Sequence, residues 1–300
     1  MSRNTPKVVN VASVPQRSPF RYPGGKTWLI PHIRAWLKSL PSRLAVFCEP
    51  FAGGGIVSLT VGFEQMADEV VMVELDEDVA AVWRTILEGD AQWLIDRIMD
   101  FELSVEAVRS ELAQSAPTLR QRAFNTILKN RTFHGGILAH GSGLLKNGEN
   151  GKGIKSRWYP ETLGRRISNI AEIRQRFAFL QTDGIAVTQE RLHQPETAFF
   201  FDPPYTAGGQ GKRAGRRLYA HSELDHEQLF EAASQVAGDF LMTYDNDPEV
   251  IDMARQRGFD VELVAMKNTH HAEMTELLIG KDLAWARALQ SCKQQRLLFE

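Results

Sequence analysis

Hydrophobic and polar positions alternate along this chain in blocks that predict strands and helices in turn. Short apolar runs bounded by turn residues are typical of buried strands, and apolar residues three or four apart are typical of helices. Strands are predicted at 44–48, 69–74, 199–201, 239–244, 259–265 and 273–280, with two more near 177–187, and helices at 28–40, 56–66, 77–88, 119–130, 160–176, 224–236 and 247–256. This alternation predicts an α/β fold with a mostly parallel sheet, whose last two strands form an antiparallel hairpin.

Breaks in the periodicity suggest how the chain is divided. Residues 1–19 combine prolines with small polar residues and predict a flexible tail. We expect residues 20–76 and 177–285 to form one sheet-containing domain, with 77–176 inserted as helices and a glycine-rich basic loop. The residues from 286 to 300 are predicted to be a C-terminal tail.

Composition narrows the class of protein. No apolar run approaches the roughly 20 residues that span a bilayer, and the first residues do not have the pattern of a signal peptide. The two cysteines, Cys48 and Cys292, indicate neither a disulfide framework nor a zinc site, and no metal site is predicted. These features favour a soluble protein of the reducing cytoplasm.

The charge of the chain is unevenly distributed. A net charge of −2 alone would argue against a nucleic-acid partner. Residues 120–176, however, carry twelve basic residues against three acidic ones, and 206–217 carry four basic residues and no acid. Such segments can bind a phosphate backbone locally, although two solvated surface loops would give the same pattern.

The stretch from Phe199 to Tyr205 is the strongest candidate for chemistry. A buried strand ends at Asp202-Pro203-Pro204-Tyr205, and the two prolines fix the direction of their carbonyls. A carboxylate and a backbone carbonyl that accept both hydrogens of an exocyclic amine localise the nitrogen lone pair. Tyr205 offers a flat face on which an extruded base can stack. The pattern favours transfer of a group to the amine of a nucleobase.

A second candidate site follows the first predicted strand. Strand 44–48, the glycine-rich segment 49–55 and the helix after it are typical of the first half of a nucleotide-binding βαβ unit. Ser58 stands where a dinucleotide fingerprint requires glycine. Glu74 ends the next strand, where an acid commonly binds ribose hydroxyls. A helix cap or a first-turn acid is the alternative role for Glu74, and Asp76 is the less favoured candidate for the ribose contact. A P-loop around Lys26 is rejected because position 20 is not glycine.

These motifs, in this order, resemble the Dam-like DNA adenine-N6 methyltransferases of the α-group. The resemblance implies a seven-stranded Rossmann-like sheet, a helical DNA-recognition insertion, and methyl transfer from S-adenosylmethionine to flipped adenine in double-stranded DNA. It implies catalytic roles for Asp202, Pro203, Pro204 and Tyr205, and cofactor-binding roles for Tyr22, Gly24, Gly25, Lys26, Glu49, Pro50, Phe51, Ala52, Gly53, Gly54, Gly55, Glu74 and Asp183. Methylation of cytosine N4 and a catalytically silent DNA-binding protein remain alternatives.

One departure from the family concerns the DNA-contacting loop. Asn130 and Arg131 resemble its start, but Gly135 to Ala139 replace the usual segment and its arginine is missing. Bases are usually read by Arg, Asn or Gln, so relaxed sequence specificity is expected. The predicted DNA-binding residues are Asn130, Arg131, Lys146, Lys152, Lys155, Arg157, Lys212, Arg213, Arg216 and Arg217.

The C-terminal residues suggest a second partner. Gln295-Arg296-Leu297-Leu298-Phe299 resembles the pentapeptide that binds the bacterial sliding clamp, with Gln295, Leu298 and Phe299 as anchors. A short peptide with two apolar anchors can bind a groove on folding. Packing of a helix end against the body is the alternative.

Overall fold

A seven-stranded sheet organises the protein. The computed structural model describes residues 14–21, 24–138, 142–148, 151–204, 224–267 and 273–296. The strands are β1 (Leu44–Glu49), β2 (Ala67–Val73), β3 (Phe177–Leu180), β4 (Thr197–Phe201), β5 (Asp239–Asp245), β6 (Asp260–Lys267) and β7 (Glu273–Gly280), in the order β3-β2-β1-β4-β5-β7-β6.

Strands β3, β2, β1, β4 and β5 are parallel, whereas β7 runs antiparallel to both β5 and β6. This arrangement confirms the predicted mostly parallel sheet with an antiparallel edge hairpin. Every residue of β4 is buried, as expected for a central strand with helices on both faces. The apolar run from Phe199 to Phe201 therefore reflects its central position.

Helices connect the strands and cover the sheet. They are α1 (Ile30–Ser39), α2 (Ile56–Phe63), α3 (Glu77–Leu87), α4 (Ala91–Asp100), α5 (Val105–Ala113), α6 (Leu119–Thr132), α7 (Pro160–Glu172), α8 (Gly184–Glu190), α9 (His226–Gln235), α10 (Pro248–Gln256) and α11 (Ala284–Arg296). The predicted second strand within 177–187 is wrong, because Asp183 accepts a hydrogen bond from the Ala186 amide and starts α8.

The segment between β2 and β3 is mostly helical, as predicted. Helix α3 packs on α6, with Arg122 near Glu77 and Lys129 Nζ 3.5 Å from a carboxylate oxygen of Asp78. Buried residues of these helices, including Phe124, join the hydrophobic core that also contains Phe47 of β1. The helical segment and the sheet therefore share one core.

The described residues near each end of the chain differ from the prediction. Residues 14–19 were expected in a flexible tail, but Val14 and Ser18 are buried. The guanidinium groups of Arg131 and Arg166 donate hydrogen bonds to the Pro19 and Ser18 carbonyls, and this holds the segment against the body. Residues 286–296 were expected in a polar tail, yet they belong to α11, which packs against α1. Within the residues described above, no helix is long and apolar enough to cross a membrane.

Candidate active site

Three acids lie at the carboxyl ends of adjacent parallel strands. Glu49 is the last residue of β1, Glu74 directly follows β2, and Asp202 directly follows β4. Because β2, β1 and β4 are neighbours in the sheet, these ends meet at one edge. This is the edge at which open α/β sheets bind ligands.

The Asp202 carboxylate is held by a buried lysine. Lys26 Nζ lies 2.9 Å from Asp202 Oδ1 and donates to the Gly24 carbonyl at 2.9 Å. The Thr243 hydroxyl donates a second hydrogen bond to Asp202 Oδ1 at 2.8 Å. The resemblance had assigned Lys26 to cofactor binding, but the structure places its ammonium beside the predicted catalytic acid. Thr243 carried no sequence signal.

Of the predicted catalytic tetrad, the structure describes Asp202, Pro203 and Pro204. Asp202 is half-buried and Pro203 is buried, directly beyond the central strand. Tyr205 lies outside the described residues, as does Tyr22 of the N-terminal motif. The proline pair therefore leaves the sheet where it was predicted to, with the acid at the strand end.

The glycine-rich loop between β1 and α2 is anchored from several sides. The Gly53 amide donates to Glu74 Oε2 at 2.9 Å, and Trp83 Nε1 donates to the Gly53 carbonyl at 2.9 Å. Ser18 Oγ donates to the Gly54 carbonyl at 2.5 Å. Gly55 has a φ of 62°, a conformation that favours glycine, and a Cβ there would also lie 2.9 Å from Trp83 Cζ2.

Glu49 supports this loop from inside the protein. Its buried carboxyl accepts hydrogen bonds from the Ser58 amide at 2.9 Å and from the Ser58 hydroxyl. Burial raises the pKa of Glu49 to about 8, against the opposing effect of the Ser58 hydrogen bonds. Ser58, which the sequence marked only as a missing glycine, is thus the partner that fixes Glu49.

Glu74 links the loop to the start of α3. Its Oε1 accepts from the Asp76 amide at 2.8 Å while its Oε2 accepts from Gly53. Burial raises the pKa of Glu74 to about 7. Asp76 instead caps α3 by accepting from the Asp78 and Val79 amides. The structure therefore distinguishes the two acids: Asp76 has the capping role, and Glu74 lies against the glycine loop.

Burial of Glu49 and Glu74 predicts how stability depends on pH. Their folded pKa values of about 8 and about 7 exceed the ordinary 4.5, so the folded state holds these protons more tightly than the unfolded state. The free energy of unfolding is expected to fall by on the order of 5 kcal/mol between pH 5 and pH 8 through these two groups. Urea unfolding at several pH values measures this slope. Glu49→Gln should flatten it, and an unchanged slope would contradict the account.

Asp183 and Gly184 lie beside the same loop. Asp183 is exposed and caps α8, and Gly184 packs so closely on the loop that a Cβ would lie 2.2 Å from the Pro50 carbonyl oxygen. Glycine is required at 184 because of that contact. The contact brings the Asp183 side of the sheet next to the glycine loop, while the role of Asp183 near the cofactor adenine stays a prediction.

Two of the predicted DNA-binding residues are buried. Asn130 Nδ2 donates to the carbonyls of Arg21 and Gly136 at 3.0 and 2.8 Å. Arg131 is only 4% exposed and donates to the Pro19 carbonyl. Burial, followed by repulsion from neighbouring arginines, lowers the pKa of Arg131 to about 9. Both side chains therefore hold residues 19–21, and their burial does not fit direct contact with DNA.

Four of the remaining predicted DNA-binding residues are among the described residues, and four are not. Lys146, Lys152 and Lys155 are exposed on the loop before α7, and Arg157 is half-buried beside them. Lys212, Arg213, Arg216 and Arg217 lie outside the described residues, as do Leu298 and Phe299. Gln295 belongs to α11, so the clamp-binding interpretation stays an untested prediction on a segment that begins within a helix.

The fold and the site define a class of protein. The seven-stranded sheet, mostly parallel with an antiparallel edge, has the Rossmann-like architecture of methyltransferases, and a glycine loop and three acids lie at its strand ends. The model of one family, D12 class N6 adenine-specific DNA methyltransferases, matches residues 22–256, and the chain belongs to this family. The resemblance inferred from the sequence motifs is thereby confirmed.

Other comparisons add more distant likenesses. No curated protein matches the chain. Similar solved structures include a proposed RNA methyltransferase from Pyrococcus horikoshii (12% identity, 90% of this chain and 92% of that one, TM-score 0.40) and the rRNA methyltransferase aviRa from Streptomyces viridochromogenes (13%, 88% and 89%, TM-score 0.38). Another is a precorrin-6y C5,15-methyltransferase from Geobacter metallireducens (8%, 84% and 86%, TM-score 0.34).

Proposed function

We propose that this protein transfers a methyl group from S-adenosylmethionine to N6 of adenine in double-stranded DNA. The observation that carries the proposal is the Asp202 carboxylate, held by Lys26 and Thr243 at the end of β4. The glycine loop lies at the end of the neighbouring strand β1. Membership in the adenine-N6 methyltransferase family supports the choice of the amine.

The residues around the glycine loop fit a nucleoside with a ribose diol. The Glu74 carboxylate is within reach of the loop backbone, and burial makes its charged form costly until donors approach it. Ribose hydroxyls would be such donors. Gly53 to Gly55 present backbone without side chains, and Asp183 is assigned to the adenine end. S-adenosylmethionine, when bound, supplies a methyl group activated by a sulfonium.

Asp202 and the Pro203 carbonyl would act on the target amine. An exocyclic amine of a nucleobase is a poor nucleophile because its lone pair is delocalised into the ring. Two acceptors that bind its two hydrogens favour tetrahedral geometry and localise the lone pair. Direct in-line transfer then requires only positioning and charge, without a covalent enzyme adduct. Asp202 need not be a strong base, because the amine becomes acidic once it is alkylated.

Access to N6 inside a duplex requires that the base leave the stack. Tyr205 is assigned the face on which the extruded adenine rests. The exposed residues Lys146, Lys152 and Lys155 would contact phosphates, which positions DNA without reading its sequence. The missing loop arginine supports relaxed specificity. Under this proposal, residues 77–176 contact the DNA, and the sheet-containing segments bind the cofactor.

Two alternative functions have less support than adenine methylation. Cytosine N4 is chemically equivalent to adenine N6 at the amine, and only family membership favours adenine. A silent DNA-binding protein would have no need of an acid held at the strand end, whereas here Asp202 and its two donors are all present.

Incubation with labelled S-adenosylmethionine tests the proposal. Unmethylated duplex DNA is expected to gain label, while RNA of the same sequence gains little. Glu262→Gln is a suitable active reference variant, because Glu262 lies on β6 and pairs with Arg287 away from the strand ends described above. Absence of label from DNA under conditions where the protein is folded would reject the proposal.

A further inference from the structure

A buried group of charges surrounds the ammonium of Lys26. Besides Asp202, Glu276 of β7 directs Oε2 to within 3.7 Å of Lys26 Nζ. The Lys26 and Glu276 side chains are 3% and 7% exposed. Neither Glu276 nor Thr243 belongs to a motif that the sequence revealed. The parallel pairing of β4 with β5 brings Thr243 beside Asp202, and the antiparallel pairing of β5 with β7 places Glu276 opposite Asp245.

We propose that Thr243 and Glu276 are positioning residues for the methyl-transfer reaction. Thr243 orients the Asp202 carboxylate. Glu276 adds a negative charge that offsets the positive charge of Lys26. The proposal rests on the proposed function, since it assigns these residues to the amine-activating acid of that reaction.

The orienting role follows from the two donors on a single oxygen. Lys26 Nζ and Thr243 Oγ1 both approach Asp202 Oδ1, at 2.9 and 2.8 Å. Two donors from different elements fix the plane of the carboxylate, since rotation would break at least one bond. A carboxylate held in one plane presents its other oxygen in a constant direction, and preorganisation of this kind is what in-line transfer requires.

The charge balance supports the role of Glu276. Transfer of a methyl group from a sulfonium makes the amine nitrogen positive in the transition state, so nearby negative charge stabilises it. Lys26 alone would neutralise Asp202. Glu276 adds a buried negative charge beside Lys26, where charges interact more strongly than in water, and Asp245 also interacts with Lys26 and Asp202. Glu276 therefore helps to keep the site negative while Lys26 holds Asp202 in place.

Thr243→Val tests the orienting role, because valine keeps the shape and loses the hydroxyl. The kcat for DNA methylation is expected to fall about tenfold, and Thr243→Ser should restore it to near the wild-type value. Cofactor affinity, measured by calorimetry, should stay unchanged in both variants. A Thr243→Val enzyme with wild-type kcat, or a serine variant as slow as the valine variant, would overturn the role of the hydroxyl.

Glu276→Gln tests the role of the charge, with Glu262→Gln on the adjacent strand as the matched control. We expect kcat to fall by about tenfold or more in Glu276→Gln and to be unchanged in the control. Circular dichroism checks that both variants are folded. Unchanged kcat in a folded Glu276→Gln protein would refute the proposal.

A measurement independent of activity separates this proposal from the proposed function. Nuclear magnetic resonance of ¹³C-labelled lysine follows the titration of Lys26 directly. Loss of the Glu276 charge is expected to lower the pKa of Lys26, on which Asp202 and Asp245 continue to act, whereas Glu262→Gln should leave it unchanged. If wild-type protein methylates no DNA, the proposed function fails while this titration still decides the charge arrangement. An unshifted Lys26 titration would contradict the charge arrangement itself.

Discussion

Replacing Asp202 with alanine is expected to lower the single-turnover rate of methyl transfer by at least about a thousandfold. The amine loses the acceptor that localises its lone pair, and the site loses one negative charge beside a nitrogen that is becoming positive. Cofactor affinity should change little, because the glycine loop and Glu74 form their contacts without Asp202. Rapid-quench methylation and calorimetry measure the two effects.

Asp202→Asn is the matched control for shape. Asparagine keeps the size of the side chain and an oxygen for Thr243, yet it carries no charge. We expect a loss of rate nearly as large as with alanine and a smaller loss of stability, because the buried lysine retains a polar neighbour. Turnover close to wild type in a folded Asp202→Ala protein would show that this acid is not central to the reaction.

Replacing Glu74 with glutamine is expected to weaken binding of S-adenosylmethionine by about a hundredfold. The change removes the charge that would accept hydroxyl hydrogen bonds. It also replaces one acceptor of the backbone amides of Gly53 and Asp76 with an amide nitrogen. Calorimetric titration at pH 8, above the pKa of Glu74 at about 7, measures the full difference.

Asp76→Ala is the matched control for the Glu74 prediction. Asp76 caps α3 through two amides, so its loss should cost about 1 kcal/mol of stability while cofactor affinity stays within a few-fold of wild type. The opposite pattern, with Asp76→Ala abolishing binding and Glu74→Gln sparing it, would assign the ribose contact to Asp76.

Much of the fold could be predicted because its signals are local. Strand β4 is apolar on both faces because it is central, and its end is marked by Pro203. The wrong predictions of secondary structure and order concern places where one or two polar side chains determine the local structure. A single carboxylate at Asp183 starts α8 where a strand was expected. Residues 14–19 look flexible alone, and they are ordered by arginines more than a hundred positions away.

The residues of the candidate site also differ in how far they could be predicted from local sequence. Glu49, Glu74 and Asp202 follow strands that can be recognised locally, so their meeting at one edge could be expected. The partners of these acids could not, because Thr243 and Glu276 approach Asp202 and Lys26 only through the pairing of distant strands. Burial of Asn130 and Arg131 could not be predicted either, because the carbonyls of Arg21 and Pro19 that they bind are more than a hundred positions away in the chain.

Identification of the methylated nucleoside tests the central claim most directly. Unmethylated duplex DNA is incubated with labelled S-adenosylmethionine and the protein, digested to nucleosides, and separated by chromatography with mass detection. We predict label in N6-methyladenine for the wild type, and none for Asp202→Ala under the same conditions. Label in N4-methylcytosine would contradict the adenine assignment, and the absence of any labelled nucleoside would contradict the account of the protein as a DNA methyltransferase.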